Sequence, residues 1–256
     1  MRNIKIGVEI EFFGVSKDRV VEELTKKGIN VSYMGYTHEV VRTWKLVTDV
    51  SVTAYGTGVG KGLELVSPIL YGDEGLDELE LVMNTLNSIG AKVDKSCGLH
   101  VHHDVADYEL ENMASLYKMY YNYSKAIDSI LPKSRRGDAR NCYCKALTRS
   151  QVANISNSYS IARFVNDFPT RYVALNCKSY VKYGTIEFRQ HSGTIEFEKL
   201  EAWIVLSHCM VNYCKNNKVS LKSSPSSNLE ELLQVLNLDG SYAGNYLIER
   251  RAQLCA

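Results

Sequence analysis

An α+β fold on a mixed or antiparallel sheet follows from three features of the sequence. Four segments alternate apolar and polar residues: IGVEIEF (6–12), GLELVSP (62–68), GLHVHHD (98–104) and TIEFRQH (185–191). Period-two alternation puts every second side chain on one face of a strand. Between these segments run stretches of helical periodicity, the clearest at 73–90, where Leu76, Leu79, Met83, Leu86 and Ile89 share a face. The order of elements mixes βαβ-like units with hairpin-like strand pairs and shows no internal repeat.

Taken in order, a first strand covers 4–13, and Ser16 caps a helix through Val20, Val21 and Leu24 that Gly28 stops. A short strand near Val31 and a strand at 44–47 follow, the latter ending at Asp49 and Ser51. The glycine-rich run YGTGVGKG (55–62) reads as a turn into the Glu64 strand. It does not match the phosphate loop GxxxxGK[ST], because Gly62 and then Leu63 follow Lys61 where that loop has Ser or Thr. The helix at 73–90 leads to the His100 strand. A long helix is expected at 107–131, ended by Pro132, with its tyrosines packed against neighbours. A basic loop (133–145) precedes a helical stretch that Thr148 opens and that runs to about Phe168. Strands are expected at 171–177 and 185–191, a helix at 196–215, a polar linker at 220–228, and two short helices from Leu229 and from Tyr242.

Composition narrows the function classes. A net charge of +1 gives no global signature for nucleic acid or an anionic membrane. Seven cysteines, an odd number at irregular spacing with no CxxC pair, point to free thiols in a reducing compartment. Acidic residues interrupt the apolar N-terminal stretch, so it does not read as a signal peptide, and no run is long enough to span a bilayer. The expectation is a cytoplasmic, unanchored protein.

The polar faces carry the chemistry. Ile6, Val8, Ile10 and Phe12 oppose Glu9 and Glu11. Leu63 and Leu65 oppose Glu64. Leu99 and Val101 oppose His100 and His102, and Ile186 and Phe188 oppose Glu187, Arg189 and His191. A strand facing only a core has no use for so many carboxylates and imidazoles, whereas a metal-dependent active site on one sheet face does. Carboxylates two apart on a strand stand roughly 7 Å apart. That spacing suits two neighbouring ions better than one, with Glu9 serving one ion and Glu11 the other. A glutamate-rich set with an imidazole favours Mg²⁺ or Mn²⁺ over zinc. Arg189, two residues after Glu187, is placed to grip a phosphate or carboxylate; the plainer alternative for that segment is a Glu187–Arg189 ion pair on a solvated strand. Arg135, Arg136 and Arg140 of the basic loop could close over phosphates, bind an acidic acceptor, or form a solvated run. Lys45, beside Trp44, and Arg171 are further candidates for nucleotide. His102 shares the metal face, His103 lies in the apolar register of a core histidine, His191 fits either reading, and His38 and His208 have no partner pattern.

Together the ordered runs GVEIEFFG, Trp44 with Asp49 and Ser51, LELVSP, CGLHVHHD, RYxxxN (Arg171, Tyr172, Asn176) and TIEFRQHSGT resemble the glutamine synthetase-type carboxylate–amine ligases, in particular the small amidoligase family found often in phages and mobile elements. The match covers residues 6–194. The resemblance implies a glutamine synthetase-like catalytic domain, a curved, mainly antiparallel sheet flanked by helices, over 1–219, with 220–256 as a helical extension packed on it. It implies ATP and Mg²⁺ as cofactors, with Mn²⁺ an alternative. By that likeness Glu11 and Glu64 bind the ion nearer the acceptor; Glu9, His100 and Glu187 bind the ion bridging the ATP phosphates; Arg189 stabilises the transferring phosphoryl group, with Glu187 and Arg171 beside the chemistry. Lys45, Arg136 and His102 join Arg189 on the nucleotide. One carboxylate ligand of glutamine synthetase lacks a clear counterpart, and Asp49 is the candidate.

The implied reaction is amide formation between a small-molecule or peptide carboxylate and an amine, through an acyl phosphate. Competing readings are a guanidino or amine phosphotransferase of the same fold, a metal-dependent hydrolase that needs no ATP, and a non-catalytic binding module. Every recognised ligand lies in one chain, so a monomer or a dimer suffices.

Overall fold

Alternation at the N-terminus produces strand β1 (Lys5–Phe12), with Ile6, Val8, Ile10 and Phe12 at most 2% exposed and Glu9 and Glu11 on the other face. The computed structural model describes residues 4–34, 42–53, 62–137 and 141–255. The expected turn through 55–61, His38 and Arg140 lie outside the described residues. The chain divides into two units, residues 1–101 with 192–201, and residues 102–191 with 202–256. The whole is mixed α+β with a mostly antiparallel sheet. Among the described residues no helix is long and apolar enough to cross a membrane.

In the first unit, Ser16 Oγ accepts from the Arg19 amide and starts α1 (Lys17–Lys26), which ends before Gly28 at φ +82°. Strands β2 (Val31–Tyr33), β3 (Trp44–Thr48), β4 (Leu63–Val66) and β5 (Leu70–Tyr71) follow, then α2 (Gly72–Ser88). The strand order is β2–β3–β4–β1–β6, where β6 is Gly98–Asp104, with β5 paired to β1. β2 and β3 are parallel; β3, β4 and β1 are antiparallel. The apolar stripe of α2 is buried as its periodicity predicts: Leu79, Met83 and Leu86 are fully enclosed. Gly62 enters β4 where a Cβ would meet Val52 Cβ at 2.2 Å and the Asp49 carbonyl at 2.6 Å, so no other residue fits there.

In the second unit the strand order is β6–β8–β7, with β7 at Leu175–Asn176 and β8 at Thr185–Ser192. The helices are α3 (Leu110–Asn122), α4 (Ser124–Ser129), α5 (Arg149–Ala153), α6 (Ile161–Asp167), α7 (Tyr180–Tyr183), α8 (Phe197–Asn216, entering from the first unit), α9 (Leu229–Val235) and α10 (Tyr242–Cys255). Phe188 of β8 packs edge-on against His103, Tyr120 and Trp203. The last two helices begin where the sequence places them. Residues 220–228 tie to α3 and α4, and Glu231 accepts from Tyr123 Oη and Lys222 Nζ. All seven cysteines are free thiols.

Three expectations are corrected. The helix expected at 107–131 is two helices broken at Tyr123. The Asn122 carbonyl accepts from the Ser226 amide and the Ala126 amide donates to the Ser226 carbonyl, so a distant peptide unit replaces one rung of the helical ladder. The helical stretch at 148–168 begins at the Thr148 cap but tightens into a 3₁₀ turn at Asn154–Asn157 and then breaks, and Ser160 caps a fresh start at α6. The strand at 171–177 shortens to β7, preceded by a single bridge between Val173 and Lys145.

Candidate active site

The register of the first unit aligns the polar positions in two rungs. Lys45 pairs with Val66 and Val66 with Glu9; Val47 pairs with Glu64 and Glu64 with Glu11. Paired residues share a face, so Lys45, Glu9, Glu64 and Glu11 all project from the same side. Lys45 is buried. His100 on β6 joins this face. Its Nδ1 lies 2.9 Å from Glu9 Oε2 and its Nε2 lies 3.7 Å from Glu11 Oε1, so the imidazole spans both glutamates.

One oxygen of Glu11 is fixed by the backbone: Gly98 N donates to Glu11 Oε2 at 2.5 Å. No side-chain pattern announces that amide. It is positioned by the loop before β6, where Asp94 Oδ1 takes the Ser96 amide and hydroxyl, and by Gly193, whose amide donates to the Cys97 carbonyl. Asp49 Oδ1 accepts from the Ser51 amide at 2.7 Å, and its charge bears on Glu64. Burial, then the charges of Glu9, Glu11 and Asp49, push the Glu64 carboxyl well above the usual carboxylate range.

Glu11, Glu64 and His100 each offer a ligand atom, and the three lie within 4.8 Å of one another. Two carboxylates and one imidazole make an oxygen-rich set that fits Mg²⁺ or Mn²⁺. A divalent ion there would neutralise the mutual repulsion that raises Glu64. The metal-free protein is favoured while Glu64 keeps its proton and loses that favour as pH rises through its elevated pKa; an ion takes the proton's place. Mg²⁺ or Mn²⁺ at about ten times its dissociation constant should therefore raise the melting temperature by about 3–6 °C. The gain should grow as pH rises, compared at pH 6 and pH 8, and vanish in Glu64→Gln. A scan with and without EDTA at both pH values checks this, and an equal melting temperature in all conditions would contradict the metal assignment.

The second unit carries the remaining candidates. Glu187 is 3% exposed. Its Oε2 accepts from Asn176 Nδ2 at 2.6 Å, its Oε1 pairs with Arg189 Nη1, and His102 Nε2 stands 3.8 Å from the same oxygen. The Glu187–Arg189 pair thus exists, on a buried carboxylate rather than a solvated strand. Arg189 Nε also points at the Tyr143 carbonyl, 3.5 Å away. His102 Nδ1 lies 3.3 Å from Thr185 Oγ1. Asn176, present in the RYxxxN run but given no role from sequence, orients Glu187. Arg171 is exposed and its guanidinium lies 5.2 Å over the Tyr172 ring.

The basic loop is pinned in its described part. Arg135 is 3% exposed, against Cys144 Sγ. Arg136 Nε donates to the Leu131 carbonyl. Gln190 Nε2 bonds both Asp128 and the Arg135 carbonyl, and Asp128 also takes the Gly137 amide. A freely solvated run is therefore excluded for Arg135. His103 is the core histidine expected, bonded to Ser207 Oγ, and burial, then His208 and His102, hold its pKa well below the usual value. His191 is buried against Trp203. His208 has partners after all: its Nε2 meets Asn212 Nδ2 at 2.8 Å and its ring tilts toward His103.

Residues 2–211 match the model of a protein family described as "Putative amidoligase enzyme". The chain is also similar to a solved structure titled a novel glutamine synthase homolog, with 12% identity, a TM-score of 0.46, and coverage of 98% of this chain and 65% of that one. A second solved structure, titled apo GmaS without ligand, has 12% identity, a TM-score of 0.42, and coverage of 99% and 69%. The chain thus spans about two thirds of the length of these proteins. No curated protein matches the sequence.

Proposed function

The chain belongs to the amidoligase family, and from that premise we propose that it is an ATP-dependent carboxylate–amine ligase that joins its substrates through an acyl phosphate. The observation that carries the reading is the cluster of Glu11, Glu64 and His100, with Glu9 bonded to the same imidazole, on the strands that bear the family's acidic and histidine motifs. Glu11 and Glu64 would hold the ion nearer the acceptor, and Glu9, His100 and Glu187 the ion on the phosphates. Bound Mg²⁺ would neutralise charge on the phosphoryl group and leave its in-line face open.

In the proposed reaction a substrate carboxylate oxygen attacks the γ-phosphorus of ATP, the bond to the β–γ bridging oxygen breaks, and ADP leaves. An amine then attacks the acyl carbon, losing a proton and expelling phosphate. Arg189 holds negative charge on the transferring group, and Glu187, braced by Asn176, aims the guanidinium. Arg171, Lys45, His102 and Arg136 are the further positions assigned to nucleotide and transfer. Buried Lys45 adds a positive charge on the Glu9 face. The substrates are small-molecule or peptide acids and amines. Seven free thiols support a reducing, cytoplasmic setting. Residues 220–256 are taken as an extension of the catalytic domain.

The test is ADP release from Mg²⁺-ATP with a pool of carboxylic acids and amines, amino acids included, against pools of acids without amino groups and of amines without carboxyl groups. A ligase releases ADP and phosphate in equal amounts only when both classes are present. A stable phosphorylated product without free phosphate would instead identify a phosphotransferase. Amide or phosphoester cleavage without ATP would identify a hydrolase.

A further inference from the structure

Two tyrosines with exposed rings lie on the segments next to the arginine to which phosphoryl contact is assigned. Tyr143 and Tyr172 are 47% and 39% exposed, and their rings meet edge to face with centroids 5.9 Å apart. Their placement follows from register. Leu175 pairs with Phe188 and Asn176 with Glu187, and the Arg189 amide donates to the Ala174 carbonyl. Val173 and Ala174 are each 1% exposed, and the chain bends at Ala174 before Tyr172, which stands exposed two residues ahead of that rung. Ala174, small, sits opposite Arg189. On the neighbouring segment the Lys145 amide donates to the Tyr172 carbonyl and the Ala174 amide to the Lys145 carbonyl, which holds the chain next to Tyr143 against this edge. Tyr143 reaches Arg189 directly, its carbonyl facing Nε. At the far side Arg171 covers the Tyr172 ring, its Nη2 3.4 Å from Tyr172 Oη.

The result is a row, Arg189–Tyr143–Tyr172–Arg171, with the guanidinium assigned to phosphate at one end and two solvent-facing rings further along it. Aromatic rings open to solvent offer faces on which a planar base can stack.

We propose that Tyr143 and Tyr172 form a stacking platform for the base of the nucleoside triphosphate whose phosphates Arg189 receives. The proposal rests on the ATP-dependent ligase reading and adds to it a specificity: the platform separates a nucleotide from inorganic polyphosphate, yet distinguishes purines from one another poorly, because every base offers a π-face.

Calorimetric binding tests it without turnover. Mg²⁺-ADP, Mg²⁺-GDP and Mg²⁺-pyrophosphate are titrated into the full chain, its Tyr172→Ala, Tyr143→Ala and Tyr172→Phe forms, and Arg189→Ala. The wild type should bind ADP and GDP within a few-fold of each other and at least about tenfold tighter than pyrophosphate, the span expected for one stacked base. Tyr172→Ala should lose about tenfold for both nucleotides with pyrophosphate unchanged, Tyr143→Ala should lose part of that, and Tyr172→Phe should retain it. Both rings are exposed, so the alanine forms should fold. ADP affinity unaffected in both alanine forms, or no preference for ADP over pyrophosphate in the wild type, overturns the platform while leaving the ligase reading in place. Binding of neither nucleotide nor pyrophosphate by the wild type overturns both.

Discussion

Glu187→Gln is expected to lower turnover by about 10²–10³-fold, the usual effect of removing one preorganised charge from a site of developing charge, while the protein still melts in one cooperative transition. Glutamine keeps the volume and an acceptor for Asn176 Nδ2, now 2.6 Å from Glu187 Oε2. It removes the negative charge that pairs with Arg189 and that would face an ion. Glu187→Ala should be equally inactive but also less stable by about 1–3 kcal/mol, because Asn176 loses the acceptor it now has inside the protein. Steady-state kinetics beside a thermal scan separates the two effects. Wild-type turnover in the glutamine form would remove Glu187 from the site.

Arg189→Lys is expected to be nearly as damaging as Arg189→Ala, with a loss of about 10³-fold or more in kcat and a much smaller change in binding of ADP. A guanidinium that stabilises a transferring phosphoryl group contributes on that scale. Lysine keeps the charge but not the planar fork, which here spends one nitrogen on Glu187 and directs Nε toward the Tyr143 carbonyl. The lysine form should therefore separate charge from geometry: retained ADP affinity with lost turnover places Arg189 in the transition state. A proportional loss in both would make it a ground-state binding residue only.

Much of the site was legible because strand alternation is a local signal. The polar positions of 6–12, 62–65 and 98–101 needed only period two to be assigned one face, and the register puts Glu9, Glu11 and Glu64 on the rungs that assignment requires. Lys45 was legible as a position, but its burial depends on the strands on either side of β3. The Gly98 amide that fixes Glu11 belongs to the backbone and leaves no trace in residue type. The break at Tyr123 was hidden for a similar reason. The sequence from 107 to 131 is helical by pattern, and it is the Ser226 peptide unit, about a hundred residues on, that interrupts its ladder. The burial of Arg135 was not legible because the sequence around it is polar and basic; the Gln190–Asp128 connection that draws its loop inward joins two other elements.

The central claim is that ATP activates a carboxylate, and oxygen transfer tests it most directly. The protein would be incubated with Mg²⁺-ATP, pooled amines, and a pool of amino acids whose carboxyl groups are enriched in ¹⁸O, and the released phosphate analysed by mass spectrometry. An acyl phosphate leaves one carboxylate oxygen on phosphorus, so the account predicts phosphate carrying one ¹⁸O, formed together with ADP and absent in Glu187→Gln. ADP formed with phosphate that carries no ¹⁸O would mean that water or another nucleophile receives the phosphoryl group, and would contradict it.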